Sequence, residues 1–177
     1  MVRGEDLQKH IRNVPDFPKK GIVFRDITTL LQDRRAFAEA IERLQNHYSR
    51  QHIDKIVGIE SRGFIFGSVL AYKLHAGFVP IRKPKKLPWK TLREEYQLEY
   101  GKDALEIHVD AIAGGERVLI VDDLLATGGT ALAACKLVEQ LRGSIVGVAF
   151  LIELSFLNGR DKLRGHDVFS LVSYDSE

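Results

Sequence analysis

The stretch VLIVDDLLATGGT, residues 118–130, decides how the rest of the chain is read. With Arg117 before it, RVLIV is a short, apolar, β-branched run, as a strand buried on both faces must be. The turn DDLLATGG follows, and TALAACKLVEQL, residues 130–141, has the length and apolar spacing of a helix. In open α/β sheets ligands gather beyond the carboxyl ends of the strands, which is where Asp122, Asp123 and the turn fall. Gly128 and Gly129 admit backbone angles closed to other residues, so successive N–H groups can converge on an anion. Thr127 and Thr130 add hydroxyl donors, and the helix N-terminus adds partial positive charge. Ala126 to Thr130 is therefore suited to a phosphate monoester. It is not a Walker loop, because Gly128-Gly129-Thr130 lacks the lysine of the Gly-Lys-Ser/Thr pattern. Two adjacent acids beside a phosphate need a reason, and a ribose diol supplies one, since carboxylates accept hydrogen bonds from both hydroxyls. The alternative, that the acids cap the next helix, accounts for one Asp but not for both.

The same order recurs on either side. IDKIVGIE, residues 53–60, reads as a strand, SRG as a turn and FIFGSVLAYKL, residues 64–74, as a helix. FVPI, residues 78–81, is a strand that ends in the basic run Arg82 to Lys86. ALEIHVDAI, residues 104–112, alternates as a half-buried strand does, and SIVGVAFLIEL, residues 144–154, is a strand directly after the central helix. After Asn158-Gly159 come one short helix and a last strand, VFSLV. Asp33 to Tyr48 places Phe37, Ile41, Leu44 and Tyr48 at helical spacing behind an Asp33 N-cap. Pro15, Pro18 and Gly21 make the preceding stretch an irregular arm with a short extended piece. The expected fold class is α/β, a mostly parallel central sheet with helices on both faces, plus a small N-terminal hood.

At 177 residues, 45% hydrophobic and 28% charged, the chain suits one domain, residues 1–177, with a packed core. A formal net charge of +2 is too small by itself to argue for a nucleic-acid footprint, so any basic patch must be local. No apolar run approaches the roughly 20 residues of a membrane span, and the charged start lacks a signal-peptide core. Cys135, the single cysteine, sits among Ala133, Ala134, Leu137 and Val138 and reads as a small buried hydrophobe. The expected address is the cytoplasm.

Residues 118–130 resemble the signature by which type I phosphoribosyltransferases hold phosphoribosyl pyrophosphate. The resemblance extends to ESRGFIFG (60–67), VPIRKPKKLP (79–88), EYQLEYGKDALEIHVDAI (95–112) and PDFPKKGIVFRDIT (15–28), which look like the adenine-specific branch. It implies transfer of a phosphoribosyl group to adenine, giving AMP and pyrophosphate. It places pyrophosphate at Glu60, Ser61 and Arg62, with a cis peptide at Glu60-Ser61, although a surface salt bridge is the alternative for Arg62. It makes residues 82–102 a mobile loop whose Lys83 and Lys86 meet the leaving group, a solvated connector being the alternative. Here Lys85 stands where the family often has glycine, and Trp89 sits near the loop tip. The hood, residues 1–35, reads the base through backbone groups at Val23 and Arg25, with Phe24 either stacking on it or packing in the core. Glu99 assists proton transfer. Mg2+ is implied on substrate phosphates and ribose hydroxyls rather than in a protein cage, and a homodimer is implied as the assembly. Two rivals stay open: a regulator of the same fold, and an enzyme acting on another base.

Overall fold

The computed structural model describes residues 6–97 and 101–176. A 3-10 turn at Leu7–His10 leads into β1 (Arg12–Val14), which pairs antiparallel with β2 (Phe24–Asp26) across the Pro- and Gly-punctuated arm. The short helix α1 (Thr28–Gln32) precedes α2 (Arg34–Tyr48). Asp33 caps α2 as its position predicts, its Oδ1 accepting the Arg35 and Ala36 N–H groups at 2.8 and 3.1 Å. Ala40, Ile41, Leu44 and Tyr48 are buried along one face of this helix.

Two strand–helix–strand units follow. β3 (Lys55–Ile59), α3 (Gly63–Leu74) and β4 (Gly77–Ile81) form the first. The antiparallel hairpin of β5 (Thr91–Gln97) and β6 (Lys102–His108) intervenes. β7 (Arg117–Leu125), α4 (Gly129–Gln140) and β8 (Ser144–Leu154) form the second, and β9 (Val168–Tyr174) is the last strand, after 3-10 pieces at Ser155–Leu157 and Gly159–Leu163. The central sheet is five-stranded and parallel throughout, in the order β4-β3-β7-β8-β9. Among the described residues no helix is long and apolar enough to cross a membrane.

Both faces of the sheet are covered. Leu119 and Val121 of β7 face the core built with α1, α2 and α3, while Val118 and Ile120 face the core built with α4 and β6. Past the acidic pair the parity reverses. Leu124 packs with the first core and Leu125 with the second, so the strand rotates its faces at Asp122 and Asp123.

Two expectations need correction. The turn expected from Asp122 is strand as far as Leu125, because β8 is 11 residues long and supplies partners for Asp122, Leu124 and Leu125. Long-range pairing overrides the turn preference of two adjacent Asp residues. The charged connector 82–102 likewise contains β5, where Leu92, Glu94 and Tyr96 are covered while Arg93, Glu95 and Gln97 are exposed.

Candidate active site

Three adjacent strands, β4, β3 and β7, end at one edge of the sheet and open onto a cleft of about 480 Å3. Glu60, Ser61 and Arg62 enter it from the end of β3, Lys83 from beyond β4, and Asp122 to Thr130 from the end of β7 and the start of α4. These are most of the residues singled out in the sequence. The Glu60-Ser61 peptide is cis.

Glu60 is a hub for cations. Its carboxylate receives Lys86 Nζ at 2.6 Å, Arg82 Nε and Nη2 at 3.2 and 3.3 Å, and the Lys83 N–H at 3.0 Å. Burial opposes its ionisation, but the Lys86, Lys83 and Arg82 donors outweigh burial and hold the carboxyl at about 2. Lys86 is thereby turned to Glu60 and does not line the cleft, unlike Lys83. The Lys83 ammonium bonds to the Asp103 carboxylate and, at 2.8 Å, to the Tyr96 hydroxyl.

The acidic pair lies at the bottom. Asp123 is 5% exposed and meets Arg62 Nε at 2.6 Å; Asp122 Oδ1 accepts the Asp123 N–H at 2.9 Å. Gly63 permits this approach, since a Cβ there would stand 2.7 Å from the Val121 carbonyl and 3.0 Å from Asp122 Oδ1. Burial and the neighbouring Asp123 charge push the Asp122 carboxyl well above its ordinary range. Burial also raises Asp123, with the Arg62 guanidinium working against it. In the free cleft the pair resists holding two charges, so groups that donate hydrogen bonds or bring positive charge are favoured beside it.

Above the acids, Gly128 takes φ +78, and its Cβ, if it had one, would lie 2.4 Å from the Gly159 carbonyl. A Cβ on Gly159 would in turn lie 2.2 Å from the Ala126 carbonyl. Two glycines thus let the 126–130 turn rest backbone to backbone on the 3-10 piece at Gly159–Leu163. Behind the turn, the first N–H groups of α4 have no partner within the helix and are available to an anion.

Val23, Phe24 and Arg25 lie outside the cleft lining. Phe24 contacts its rim, with the Arg62 guanidinium 5.5 Å over its ring, and packs edge-on against Phe17 at 5.3 Å. With Val14, Phe17 and Asp26 it lines a separate hollow of about 250 Å3. Glu99 lies outside the described residues. Sequence reasoning overlooked Tyr96, Asp103 and Gly159. Only Tyr96 carried a local signal, the period-two alternation of β5.

The comparisons with known proteins agree with this geometry. The chain matches the phosphoribosyl transferase domain across residues 27–173. It is 61% identical over 170 residues to an adenine phosphoribosyltransferase of Solibacter usitatus, covering 96% of this chain and 98% of that one. The crystal structure of adenine phosphoribosyltransferase from Thermoanaerobacter pseudethanolicus superposes with a TM-score of 0.94 at 55% identity, covering 97% of this chain and 100% of that one. The Saccharomyces cerevisiae enzyme, complexed with D-2,5-dideoxy-2,5-imino-altritol 1,6-bisphosphate and adenine, superposes with a TM-score of 0.88 at 43% identity over 93% of this chain and 96% of that one. A strand-end cleft with paired acids and a Gly/Thr turn, on a five-stranded parallel sheet and at such identities over nearly the whole length, places the chain in the adenine phosphoribosyltransferase family, with the type I phosphoribosyltransferase fold.

Proposed function

We propose that the protein transfers the 5-phosphoribosyl group of phosphoribosyl pyrophosphate to adenine, forming AMP and releasing pyrophosphate, a step of purine salvage. The observation that carries this reading is the convergence of Asp122, Asp123, Arg62 and the 126–130 turn in one cleft. The turn and the N-terminus of α4 take the 5-phosphate, and the two carboxylates accept from the ribose hydroxyls. Glu60, Ser61 and Arg62 border the pyrophosphate, with Lys83 lining the same cleft beside Glu60. As the bond from the anomeric carbon to the pyrophosphate oxygen breaks, its electron pair stays with pyrophosphate, where Arg62 and Lys83 stabilise the charge. Negative charge on Asp122 and Asp123 stabilises the oxocarbenium-like centre. The purine nitrogen supplies the electron pair of the new bond, and Glu99 is our candidate to take its proton.

Magnesium brought in with the substrate would be held beside Asp122 and Asp123 and would supply positive charge against the leaving group. The hard carboxylate oxygens of Asp122 and Asp123 suit such a cation held jointly with substrate. A cytoplasmic setting fits the buried Cys135, whose thiol burial pushes up to about 12. A homodimer follows from the family resemblance, and Tyr72 and Trp89, 80% and 58% exposed, are apolar surface that an interface would cover. Sedimentation of the wild-type chain reads its mass directly.

Product analysis tests the activity. Adenine, phosphoribosyl pyrophosphate and Mg2+ yield AMP and pyrophosphate in equal amounts, and a mixture that forms no AMP contradicts the assignment.

Two further outcomes follow from the geometry. Gly159→Ala drives a methyl into the Ala126 carbonyl and displaces the phosphate turn, so KM for phosphoribosyl pyrophosphate rises by about tenfold or more, measured by steady-state kinetics. An unchanged KM would show that the turn does not hold the phosphate. Limited trypsin digestion of the free protein cuts after Lys85, Lys86 or Lys90, around the exposed Trp89, and AMP or substrate with Mg2+ suppresses the cuts. Equal cutting with and without ligand argues against a closing loop.

A further inference from the structure

The arm that carries Phe24 and Arg25 is tied down on the side away from the cleft. Arg25 is only 9% exposed, and its guanidinium turns from the cleft toward three neutral partners. Nη1 donates to Asn13 Oδ1 at 2.6 Å, Nη2 donates to the Ser176 carbonyl at 3.2 Å, and Cζ lies 4.0 Å over the Tyr174 ring. Tyr174 is itself buried at 7% exposure and paired in register with Leu154 of β8, so this anchor belongs to the main sheet. One residue before Arg25, the Phe24 ring meets Arg62 at the cleft rim. The short strand β2 is thus gripped by neighbouring side chains from opposite directions.

We propose that the Arg25 side chain is the positioning residue of the base-reading arm, with Tyr174 and the Ser176 carbonyl as its anchor, so that strand β9 helps set adenine affinity and selectivity. This rests on the reading above in which backbone groups near Val23 and Arg25 meet the base edge. A pair of three-residue strands has little stability of its own. Discrimination between purine edges nevertheless requires donors and acceptors held to within about 0.5 Å. The planar guanidinium supplies that rigidity, because it can stack on a ring while donating in its own plane to two acceptors; a lysine ammonium in its place cannot do both. Arg25 therefore acts on the base through the backbone it fixes and not by contact of its side chain.

The test compares wild type with Arg25→Lys, Tyr174→Leu and Tyr174→Phe. The Tyr174 hydroxyl has no hydrogen-bond partner among the described residues, so phenylalanine keeps everything the guanidinium uses. Amide hydrogen exchange is followed over residues 21–26, with KM determined separately for adenine and for phosphoribosyl pyrophosphate. Arg25→Lys and Tyr174→Leu speed exchange in the arm, raise KM for adenine about tenfold and leave KM for phosphoribosyl pyrophosphate within about twofold. Tyr174→Phe behaves as wild type. Unchanged exchange in both disruptive variants overturns the proposal, as does faster exchange with an unchanged adenine KM, or a parallel rise of both KM values. Wild-type turnover of adenine in the same assay tests the underlying activity by itself, and exchange in the arm reads the anchor whatever the base.

Discussion

Replacing both acids, Asp122→Asn with Asp123→Asn, lowers turnover by at least about a thousandfold while the circular dichroism spectrum stays that of the wild type. The loss is large because in the proposed mechanism the two carboxylates serve the substrate twice, accepting from the ribose hydroxyls and offsetting positive charge at the anomeric carbon. The fold survives because neither group holds the core together. Asp123 pairs with Arg62, and Asp122 caps only the N–H beside it. The single change Asp122→Asn adds a second readout. Burial and the Asp123 charge raise the Asp122 carboxyl on folding, so the folded chain binds that proton more tightly than the unfolded chain. Its cost to stability is absent below the ordinary value of 3.8, grows as the pH rises past it, and is complete above the raised folded value. Asparagine keeps an acceptor for the Asp123 N–H and removes the charge. The variant's Tm in the absence of ligand therefore exceeds that of wild type at neutral pH, and the gain shrinks as the pH falls toward 3.8. Near-normal turnover, or a lower Tm at neutral pH, contradicts the role assigned to the pair.

The parts of the fold written in short-range patterns are legible in the sequence. α2 begins at its Asp33 cap, the two strand–helix–strand units lie where apolar runs and Gly-bearing turns put them, and the acids and the 126–130 turn meet at the strand ends. What escaped depends on contacts between distant segments. β7 runs on through Asp122 and Asp123 because β8 pairs with it, which nothing within residues 117–125 announces. Gly159 reads as a turn residue, yet the structure shows it as the floor under Ala126 and Gly128. The hairpin strand β5 was obscured by its charges, since five of its seven residues are polar, although Leu92 and Tyr96 keep the alternation of a half-covered strand. Arg25 was named for its backbone, and the direction of its side chain, toward Tyr174 and Ser176, follows only from the path of β9.

Selectivity for the base should be equally large in effect. Adenine presents an amino donor beside a ring acceptor, whereas 6-oxopurines present an acceptor beside a protonated ring nitrogen, so one fixed donor and acceptor pair cannot serve both. A mismatched edge leaves buried polar groups unpaired at about 1–3 kcal/mol each. Sites built to hydrogen-bond one group reject analogues by about 10⁴ or more. Catalytic efficiency with adenine accordingly exceeds that with hypoxanthine or guanine by at least about a thousandfold. If the pair is main-chain, Val23→Ala is mild, while Val23→Pro, which removes an N–H and stiffens the arm, lowers kcat/KM for adenine far more. The most direct measurement offers adenine and hypoxanthine together, in equal amounts, with limiting phosphoribosyl pyrophosphate and Mg2+, and separates the nucleotides formed. AMP with no more than a trace of IMP is the predicted result; IMP in comparable amount contradicts the assignment of adenine as the base.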